Sequence, residues 1–381
     1  MCEPLLRDSA NIQERDAVFL NKRTWRRKLV TEDFPGGGEI EPTYTVQDAE
    51  AVLPLLRSVP LHTPTQVGKN LTYETFDAGH LLGSTHMVLS SNVSGRGVRL
   101  AFSGDVGRPN LPILPDPELA QPTDYLIMES TYGDRLHKDQ GRVADKLADA
   151  VNRTADRGGK LIVPAFALGR TQQLVLLLHE LTEAGRIPKI PIFVDSPLAA
   201  KTTAVARAQQ EAYDGETAAG SKRGLDPFSW RQLRYTQDVN ESKALNDLRG
   251  TFMVISASGM AEAGRILHHL RNNVENPRNT VLITGFQAEH TLGRRLVEKQ
   301  REVSIFGDMM RLRAEVVSLN ELSGHADQRE LLTWMKPAAK TLKGVFLVHG
   351  EAPSQLALKL AIQEQYGVPV TIPARGDSFD L

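Results

Sequence analysis

Five short stretches of the sequence each place one histidine or carboxylate directly after an apolar, strand-like run. Imidazole nitrogens and carboxylate oxygens are the donors that zinc takes in catalytic sites, where one coordination position stays open for water. Residues at strand ends are well placed to gather into one site. The stretches are Asp-Ala-Gly-His80, Phe-Ser-Gly-Asp105, Met-Glu129-Ser-Thr-Tyr-Gly, Ser-Gly-His325-Ala-Asp and Val-His349-Gly-Glu.

Taken one at a time, these residues also have plain structural interpretations. A histidine after Asp-Ala-Gly can be a structural or surface residue, and Asp105 in Ser-Gly-Asp-Val-Gly can simply serve a turn. The residues are far apart in the sequence, so their spacing does not decide between the two interpretations. Repetition of the strand-end position in all five favours a metal-dependent hydrolytic site.

Helices and then strands are predicted for the first third of the chain. Residues 11–29 and Gln47–Val59 are predicted helices, and Phe34-Pro-Gly-Gly-Gly38 is a predicted loop. The basic run Asn-Lys22-Arg-Thr-Trp25-Arg-Arg-Lys28 fits either a solvated helix face or an RNA contact. The strands that follow have little helix between them, which predicts an antiparallel or mixed sheet. These strands are Leu71–Phe76, His86–Ser90, Val98–Phe102 and Tyr125–Met128.

From residue 144 onward, helices and strands alternate. Helices are predicted over Ala144–Ala155 and Thr171–Glu183, and residues 213–248 are predicted to be helix and loop. Alternating strands and helices are typical of βαβ units, which predicts a parallel sheet with flanking helices. The strands are Leu161–Ala165, Pro191–Val194, Phe252–Ser256, Val281–Thr284, Glu315–Leu319, Val345–Val348 and Val368–Ile372.

Bulk composition narrows the function classes. Lys and Arg number 45 against 46 Asp and Glu, so the net charge of −1 neither favours nor excludes a nucleic-acid partner. The single cysteine, Cys2, excludes an internal disulfide framework and a cysteine-rich zinc module. The sequence contains no apolar stretch of membrane-spanning length and no signal-peptide pattern at Met1. A cytoplasmic protein without a membrane partner is therefore expected.

In this order, the motifs resemble the β-CASP branch of the metallo-β-lactamase-fold hydrolases, which are RNA-processing ribonucleases. The resemblance spans nearly the whole chain and is closest to the compact prokaryotic members. Each motif is weak alone, whereas eight in the family's order are specific. Besides those around His80, Asp105, Glu129, His325 and His349, they are Pro164-Ala-Phe-Ala-Leu-Gly-Arg170, Asp195-Ser-Pro-Leu-Ala, and Ser258-Gly-Met with Gly264-Arg265-Ile-Leu-His268-His269.

The resemblance implies an α/β fold: an incomplete metallo-β-lactamase αββα sandwich into which a β-CASP α/β domain, a parallel sheet flanked by helices, is inserted. Composition shifts near residues 136 and 320 agree with this arrangement. The metallo-β-lactamase-like domain is therefore expected over 1–136 and 321–381, lacking its N-terminal part. The β-CASP domain is expected over 137–320, as a lid over the cleft.

The same resemblance implies roles for individual residues. His80 is similar to a ligand of the first zinc, Asp105 to the carboxylate that bridges two zincs, and His349 to a ligand of the second. Glu129 resembles an acidic residue that orients His325 or a metal ligand. His325 resembles the general acid at the leaving group.

Four residues of the inserted segment are expected to contact the substrate: Arg170, Ser196, Arg265 and His269. Arg170 and Arg265 each open a helix, where the side chain and nearby backbone amides can hold phosphate. Helix capping and surface charge are the structural alternative for these positions.

The densest motif of the family, His-x-His-x-Asp-His, does not occur among these 381 residues. Three expected ligands, His80, Asp105 and His349, would hold two zincs poorly, so weak zinc retention and little activity are expected. Two explanations stay open: the sequence begins at an internal Met of a longer gene, or the chain is a natural paralogue that lost the motif. Reading the gene upstream of Met1 in the same frame separates them.

Three function hypotheses follow. The first is zinc-dependent hydrolysis of phosphodiester bonds in single-stranded RNA, impaired in this chain by the missing motif. The second is a non-catalytic RNA-binding or scaffold subunit. The third, hydrolysis of an ester outside nucleic acids, is disfavoured because relatives with that activity lack the inserted domain. Whether the protein forms a homodimer is left open.

Overall fold

The chain forms two units in the computed structural model, Met1–Ser58 and Val59–Leu381. The structure describes residues 1–27, 39–93, 96–137, 142–215, 217 and 226–381. Lys28 at the end of the basic run and the predicted loop at 34–38 lie outside the described residues. No helix in the described part of the chain is long and apolar enough to cross a membrane.

The first unit is built from two helices, α1 (Cys2–Arg27) and α2 (Val46–Val52). The Asn21 side chain ties α1 to the following segment, since it both donates to and accepts from the backbone of Ile40, at 2.9 and 2.8 Å. Thr45 caps α2 in a reciprocal capping box, which satisfies free amides at the helix start.

Both N-terminal helices differ in extent from the prediction. Helix α1 begins at Cys2 rather than residue 11. Pro4 lies in its first turn, where a missing N–H costs no helical hydrogen bond. Helix α2 ends at Val52 instead of residue 59, and Leu53–Leu55 forms a 3-10 turn. Pro54 explains this early end, because proline disfavours continued helix at the residue before it.

The second unit contains the strands of two large sheets and of a two-stranded hairpin. The strands are β1 (Thr65–Gly68), β2 (Leu71–Asp77), β3 (Thr85–Val93), β4 (Arg96–Phe102), β5 (Tyr125–Glu129), β6 (Leu161–Pro164), β7 (Ile192–Val194), β8 (Leu233–Tyr235), β9 (Met253–Ser256), β10 (Thr280–Ile283), β11 (Glu302–Ile305), β12 (Asp308–Arg311), β13 (Glu315–Ser318), β14 (Gly344–Val348) and β15 (Val370–Thr371). The helices are α3 (Val143–Asp156), α4 (Arg170–Glu183), α5 (Pro197–Ala208), α6 (Val239–Asp247), α7 (Arg265–Asn273), α8 (Leu292–Val297), α9 (Gln328–Met335) and α10 (Ala352–Tyr366).

The first sheet is mixed, as predicted, with strand order β1-β2-β3-β4-β5-β14-β15. Strands β1 to β4 are antiparallel neighbours, whereas β4, β5, β14 and β15 are parallel. Leu126 and Met128 of β5 share a buried core with residues of α9 and α10, including Trp334 and Leu358. Because β2 also runs in the direction of β4, the carboxyl ends of β2, β4, β5 and β14 meet at one edge of the sheet.

The second sheet is parallel throughout, with order β13-β10-β6-β9-β7-β8. Alternating residues of β6 face opposite cores: Leu161 and Val163 pack with residues of α3 and α4, and Ile162 packs with residues of α7 and α8. The continuous apolar runs of its strands follow from burial on both faces. This confirms the predicted α/β fold with a parallel sheet flanked by helices.

Short strands account for most of what the prediction missed. Strand β8 lies in the stretch 213–248, which was predicted to be helix and loop, and β1 and the hairpin β11–β12 were not predicted. Strands of three or four residues carry too few side chains to establish a period of two. The predicted domain boundaries at 136 and 320 stay a prediction.

His86 on β3 provides a test of how the first sheet is held together. Its ring is 1% exposed, stacks on Phe76 at 5.1 Å and meets Trp334 edge-on at 5.3 Å. Neither ring nitrogen makes a hydrogen bond of normal geometry. Burial lowers the pKa of His86 to about 4, although the charge of Glu118 and the backbone of Asp77 partly oppose this.

We expect acid to destabilise the protein through His86. The unfolded chain takes up this proton near pH 6.5, whereas the folded chain resists until about pH 4. Stability is therefore fully present above pH 6.5 and is lost as pH falls toward 4, by about 2 kcal/mol at pH 4.5. Relative to His86→Leu, the wild-type melting temperature should fall by about 3 °C between pH 7.5 and 4.5. Equal pH dependence in the two proteins, followed by calorimetry, would contradict this account.

Candidate metal centre

The five residues singled out in the sequence lie together at the carboxyl edge of the first sheet. Glu129 is the last residue of β5, and His349 directly follows β14. Asp105 and His80 lie three residues beyond the ends of β4 and β2. His325 arrives from a different direction, between the 3-10 turn Asn320–Leu322 and the start of α9.

Asp105 lies at the middle of the group. Its Oδ1 is 3.4 Å from Nδ1 of His349, and its Oδ2 is 3.8 Å from Nε2 of His80. Each carboxylate oxygen therefore faces a different imidazole. The ligand atoms of Asp105, Glu129, His325 and His349 all lie within 4.8 Å of one another.

Glu129 is buried, and both of its carboxylate oxygens have hydrogen-bond partners. Its Oε1 accepts from the backbone amide of Val106 at 2.6 Å, and its Oε2 accepts from the Thr131 hydroxyl at 2.6 Å and faces Nδ1 of His325 at 3.1 Å. Burial by itself raises the pKa of Glu129, but the hydrogen bonds from His325, Thr131 and Val106 and the His325 charge bring it below the ordinary value. Glu129 is therefore a carboxylate.

His325 has the opposite electrostatic character. Burial opposes its charged form, but the hydrogen bond to Glu129 and the charges of Glu129 and Asp105 raise the pKa of the His325 imidazole above its ordinary value. Nδ1 donates to Glu129, so the remaining ring nitrogen, Nε2, carries the proton that can be given away. The imidazole of His137 also bonds the His325 carbonyl, at 3.0 Å, and fixes the backbone.

The surroundings of His80 favour the neutral form of its imidazole. Burial and the nearby His325 charge lower the pKa of its imidazole, despite the opposing effects of Asp105, Glu129 and the Gly324 backbone. Its Nδ1 is buried and makes no hydrogen bond of normal geometry. Metal binding requires the neutral ring.

His349 is held in a strained backbone conformation. Its φ of 50° lies in the left-handed region that side chains other than glycine seldom adopt. Ser130 holds the segment, since its amide donates to the His349 carbonyl at 3.2 Å and its hydroxyl to the Val348 carbonyl at 2.8 Å. Such strain persists where surrounding contacts over-determine it, as in functional sites.

These donors fit a metal ion. His80, Asp105 and His349 offer imidazole nitrogen and carboxylate oxygen, the set that zinc takes. Glu129 and His325 lie within 4.8 Å of Asp105 and His349, in a group of ligand atoms that does not include His80, but they are committed to each other through the 3.1 Å contact. The structure thus separates a hydrogen-bonded carboxylate–imidazole pair from three residues whose donors could hold a metal.

The four predicted substrate-contact residues follow strands of the second sheet or lie in the helices after them. Arg170 is buried, and burial lowers the pKa of its guanidinium to about 10, so it stays charged at neutral pH. Ser196 is buried and caps α5 through the amide of Ala199. His269 is 2% exposed, whereas the Arg265 side chain is 20% exposed.

Asp195, whose role was not predicted, contacts residues of α6 and α7 and the residue that follows β8. This buried carboxylate accepts from Nη1 of Arg265 at 2.7 Å, from the Ser242 hydroxyl at 2.6 Å and from the Thr236 hydroxyl, and it contacts Nε2 of His269 at 2.5 Å. These hydrogen bonds outweigh burial and hold the pKa of Asp195 far below its ordinary value. The motif Asp195-Ser-Pro was visible in the sequence, but the burial that gives it meaning was not.

Thr131 and His137 were also missed at the metal centre. Thr131 bonds Glu129 and lies 3.2 Å from Nδ1 of His349, and His137 holds the His325 backbone. Thr131 lies within the Glu129-Ser-Thr-Tyr-Gly motif, which is the signal that could have found it. His137 had no comparable signal.

Comparison with known proteins agrees with this geometry. A family described as the Beta-Casp domain matches residues 171–296, over most of the second sheet and its helices. A family described as the Zn-dependent metallo-hydrolase RNA specificity domain matches residues 309–373, which include His325 and His349.

Individual relatives match much of the chain. Ribonuclease TTHA0252 of Thermus thermophilus is 35% identical over 318 residues, covering 84% of this chain and 71% of that protein. The RNase J-like protein of Methanocaldococcus jannaschii is 28% identical over 364 residues, covering 95% and 80%. Transcription termination factor FttA of Thermococcus kodakarensis is 27% identical over 353 residues, and the chain spans 54% of its length.

The first family match covers most of the second sheet, and the second match covers the C-terminal segment that carries His325 and His349. The Thermus ribonuclease extends the likeness across both, over most of the chain. The resemblance predicted from the motifs is therefore confirmed: the chain belongs to the β-CASP branch of the metallo-β-lactamase-fold, metal-dependent ribonucleases.

Proposed function

We propose that this chain hydrolyses phosphodiester bonds of single-stranded RNA with the help of zinc. One observation carries the proposal: Asp105 presents one oxygen to His80 and the other to His349, directly beside the His325–Glu129 pair. The arrangement offers metal donors and a proton donor at one strand edge. The names of the relatives, two of them ribonucleases, support RNA as the substrate.

His80, Asp105 and His349 would hold the metal. Zinc, when bound, supplies a Lewis acid for the phosphate and a nucleophile at neutral pH. Asp105 would contribute negative charge that favours a cation beside the two imidazoles. The neutral state of His80 removes the charge repulsion that a protonated ring would create.

His325 would act as the general acid. Its Nε2 gives a proton to the departing 3′ oxygen while Nδ1 stays bonded to Glu129, which stabilises the ring in the required tautomer. Glu129 is positioned by Val106 and Thr131 and keeps the ring charged before the transfer. In-line attack on phosphorus places the leaving oxygen opposite the nucleophile, so the His325 ring would have to face the leaving oxygen.

The second sheet would supply the wall that holds RNA phosphates. Arg265 reaches solvent while Asp195 fixes one side of its guanidinium, which suits a direct phosphate contact. The other three residues, Arg170, Ser196 and His269, are buried and would act on RNA indirectly. Arg170 would contribute its positive charge. His269 would help to position Arg265 through Asp195, and Ser196 caps α5.

We expect the 381-residue chain to hold zinc weakly. Two zincs that share one carboxylate take about five protein ligands, whereas the described residues offer three uncommitted donors. Metal analysis after gel filtration should find less than one zinc per chain. His290→Asn, at an exposed position with φ of 69°, is the matched control that should leave zinc content unchanged. Two tightly retained zincs per chain would show that other residues complete the site.

Cleavage of a 5′-labelled single-stranded RNA at saturating zinc tests the proposed reaction directly. Zinc-dependent product that disappears with a chelator is the expected result. Binding of the same RNA without cleavage would favour the second hypothesis, a non-catalytic RNA-binding subunit, for which the small number of free metal donors is the supporting observation. Failure to bind RNA at all would exclude both.

A further inference from the structure

An exposed aromatic ring stands at the carboxyl end of the central strand β6, in the loop that leads to α4. Phe166 is 45% exposed, whereas its neighbours Ala165 and Ala167 are 0% and 6% exposed. Ligands of parallel α/β sheets bind at this end of the strands. A phenylalanine held in solvent between two buried residues at such a position needs an explanation beyond core packing.

The backbone that carries Phe166 is fixed by hydrogen bonds. The Phe166 carbonyl accepts from the amide of Thr171 at 3.2 Å and from its hydroxyl at 2.8 Å. The Ala167 carbonyl accepts from the Gln172 amide group at 3.1 Å and the Thr202 hydroxyl at 2.8 Å. The ring is therefore presented from a rigid loop and loses little freedom when it receives a partner.

One side of the ring is already covered by backbone. A Cβ placed on Gly259 would lie 2.7 Å from Cδ2 and 2.9 Å from Cε2 of Phe166, closer than any real contact. Only glycine lets the ring rest there. Phe166 nevertheless stays 45% exposed, so part of the ring is available to a flat apolar surface.

The loop with Phe166 contacts the segment that carries His80. A Cβ on Gly169 would lie 2.5 Å from Cδ2 of Leu81, the residue after His80. Phe166 lies three positions before Gly169, a reach of at most about 11 Å. The charge of the buried Arg170, next along the chain, acts on His325. An exposed ring and a buried cation thus lie on one loop that approaches this centre.

We infer that Phe166 is a stacking platform for a base of the RNA close to the bond that is cut, an inference that rests on the proposed function. Bases of single-stranded RNA stack on aromatic side chains, and stacking accepts every base because each has a π-face. The fixed loop and Gly259 pre-orient the ring, while the positive charge of Arg170 favours the adjoining phosphate.

RNA affinity measured by fluorescence anisotropy with a cleavage-resistant oligonucleotide tests the contact without requiring turnover. Phe166→Ala should bind about tenfold more weakly, and Phe166→Trp should bind as tightly as wild type. Phe379→Ala, which removes a ring of equal exposure (46%) near the C-terminus, is the matched control and should not alter affinity.

A series of RNAs with one abasic nucleotide tests the same contact on the unaltered protein. One position should lose affinity about tenfold with wild type and show no further loss with Phe166→Ala, the signature of a shared interaction. 2-Aminopurine at that position should be quenched by wild type and not by Phe166→Ala. Wild-type RNA binding that is unchanged by Phe166→Ala and by every abasic position would overturn the stacking inference and leave the proposed function standing. Absence of RNA binding by wild type would overturn both.

Discussion

Replacing Asp105 with asparagine is expected to weaken zinc binding at least about a hundredfold and to slow RNA cleavage about a thousandfold. Asparagine keeps the shape of the side chain but loses its charge and one acceptor oxygen. Since the two oxygens face His80 and His349 at 3.8 and 3.4 Å, the amide group would point a donor at one imidazole. The loss of zinc affinity and the loss of cleavage have the same cause, so they should appear together.

Zinc affinity of Asp105→Asn is best followed by competition with a chromogenic chelator, and cleavage by single-turnover assay at saturating zinc. Asp308→Asn is a suitable control. Asp308 is an exposed carboxylate of the hairpin β11–β12 and forms an ion pair with Arg271 of α7. The control should match wild type in both assays. If Asp105→Asn binds zinc as tightly as wild type, Asp105 is not a zinc ligand, and the proposed link between His80 and His349 through Asp105 is wrong.

The gathering of the ligands was predictable because it follows from strand direction. The apolar runs that end near Glu129, Asp105 and His349 form β5, β4 and β14, which are parallel neighbours. Parallel neighbours bring residues after their carboxyl ends to one edge. Strand-end position in the sequence therefore contained most of the geometry of the centre.

Contacts that depend on packing between distant segments could not be predicted. The 3.1 Å pairing of Glu129 with His325 joins residues 196 positions apart. His137 reaches the His325 carbonyl from a loop with no recognisable pattern. Asp195 likewise becomes distinctive only when burial and its several donors are known.

His325→Ala is expected to lower kcat about 10²- to 10⁴-fold, the usual contribution of a general acid, and to leave zinc binding unchanged. The structure makes the second half of this prediction demanding, because the ligand atoms of His325 lie within 4.8 Å of those of Asp105 and His349. Retention of zinc would show that His325 moves a proton and does not bind the metal. Loss of zinc together with activity would make His325 a ligand and contradict the proposed acid role.

The pH profile separates a proton donor from a merely structural histidine. His325 must be protonated to act, and Glu129 raises the pKa of its ring against the effect of burial, so cleavage should fall as pH rises through that value. Glu129→Gln removes the negative charge that favours the protonated ring. The alkaline decline should therefore move to lower pH in Glu129→Gln, and His325→Gln, which keeps a side-chain hydrogen-bonding group, should lose the decline entirely. Removing the titrating imidazole or its charged partner must abolish or move the alkaline decline. A decline that stays in place in both variants would therefore assign the titration to a group other than His325.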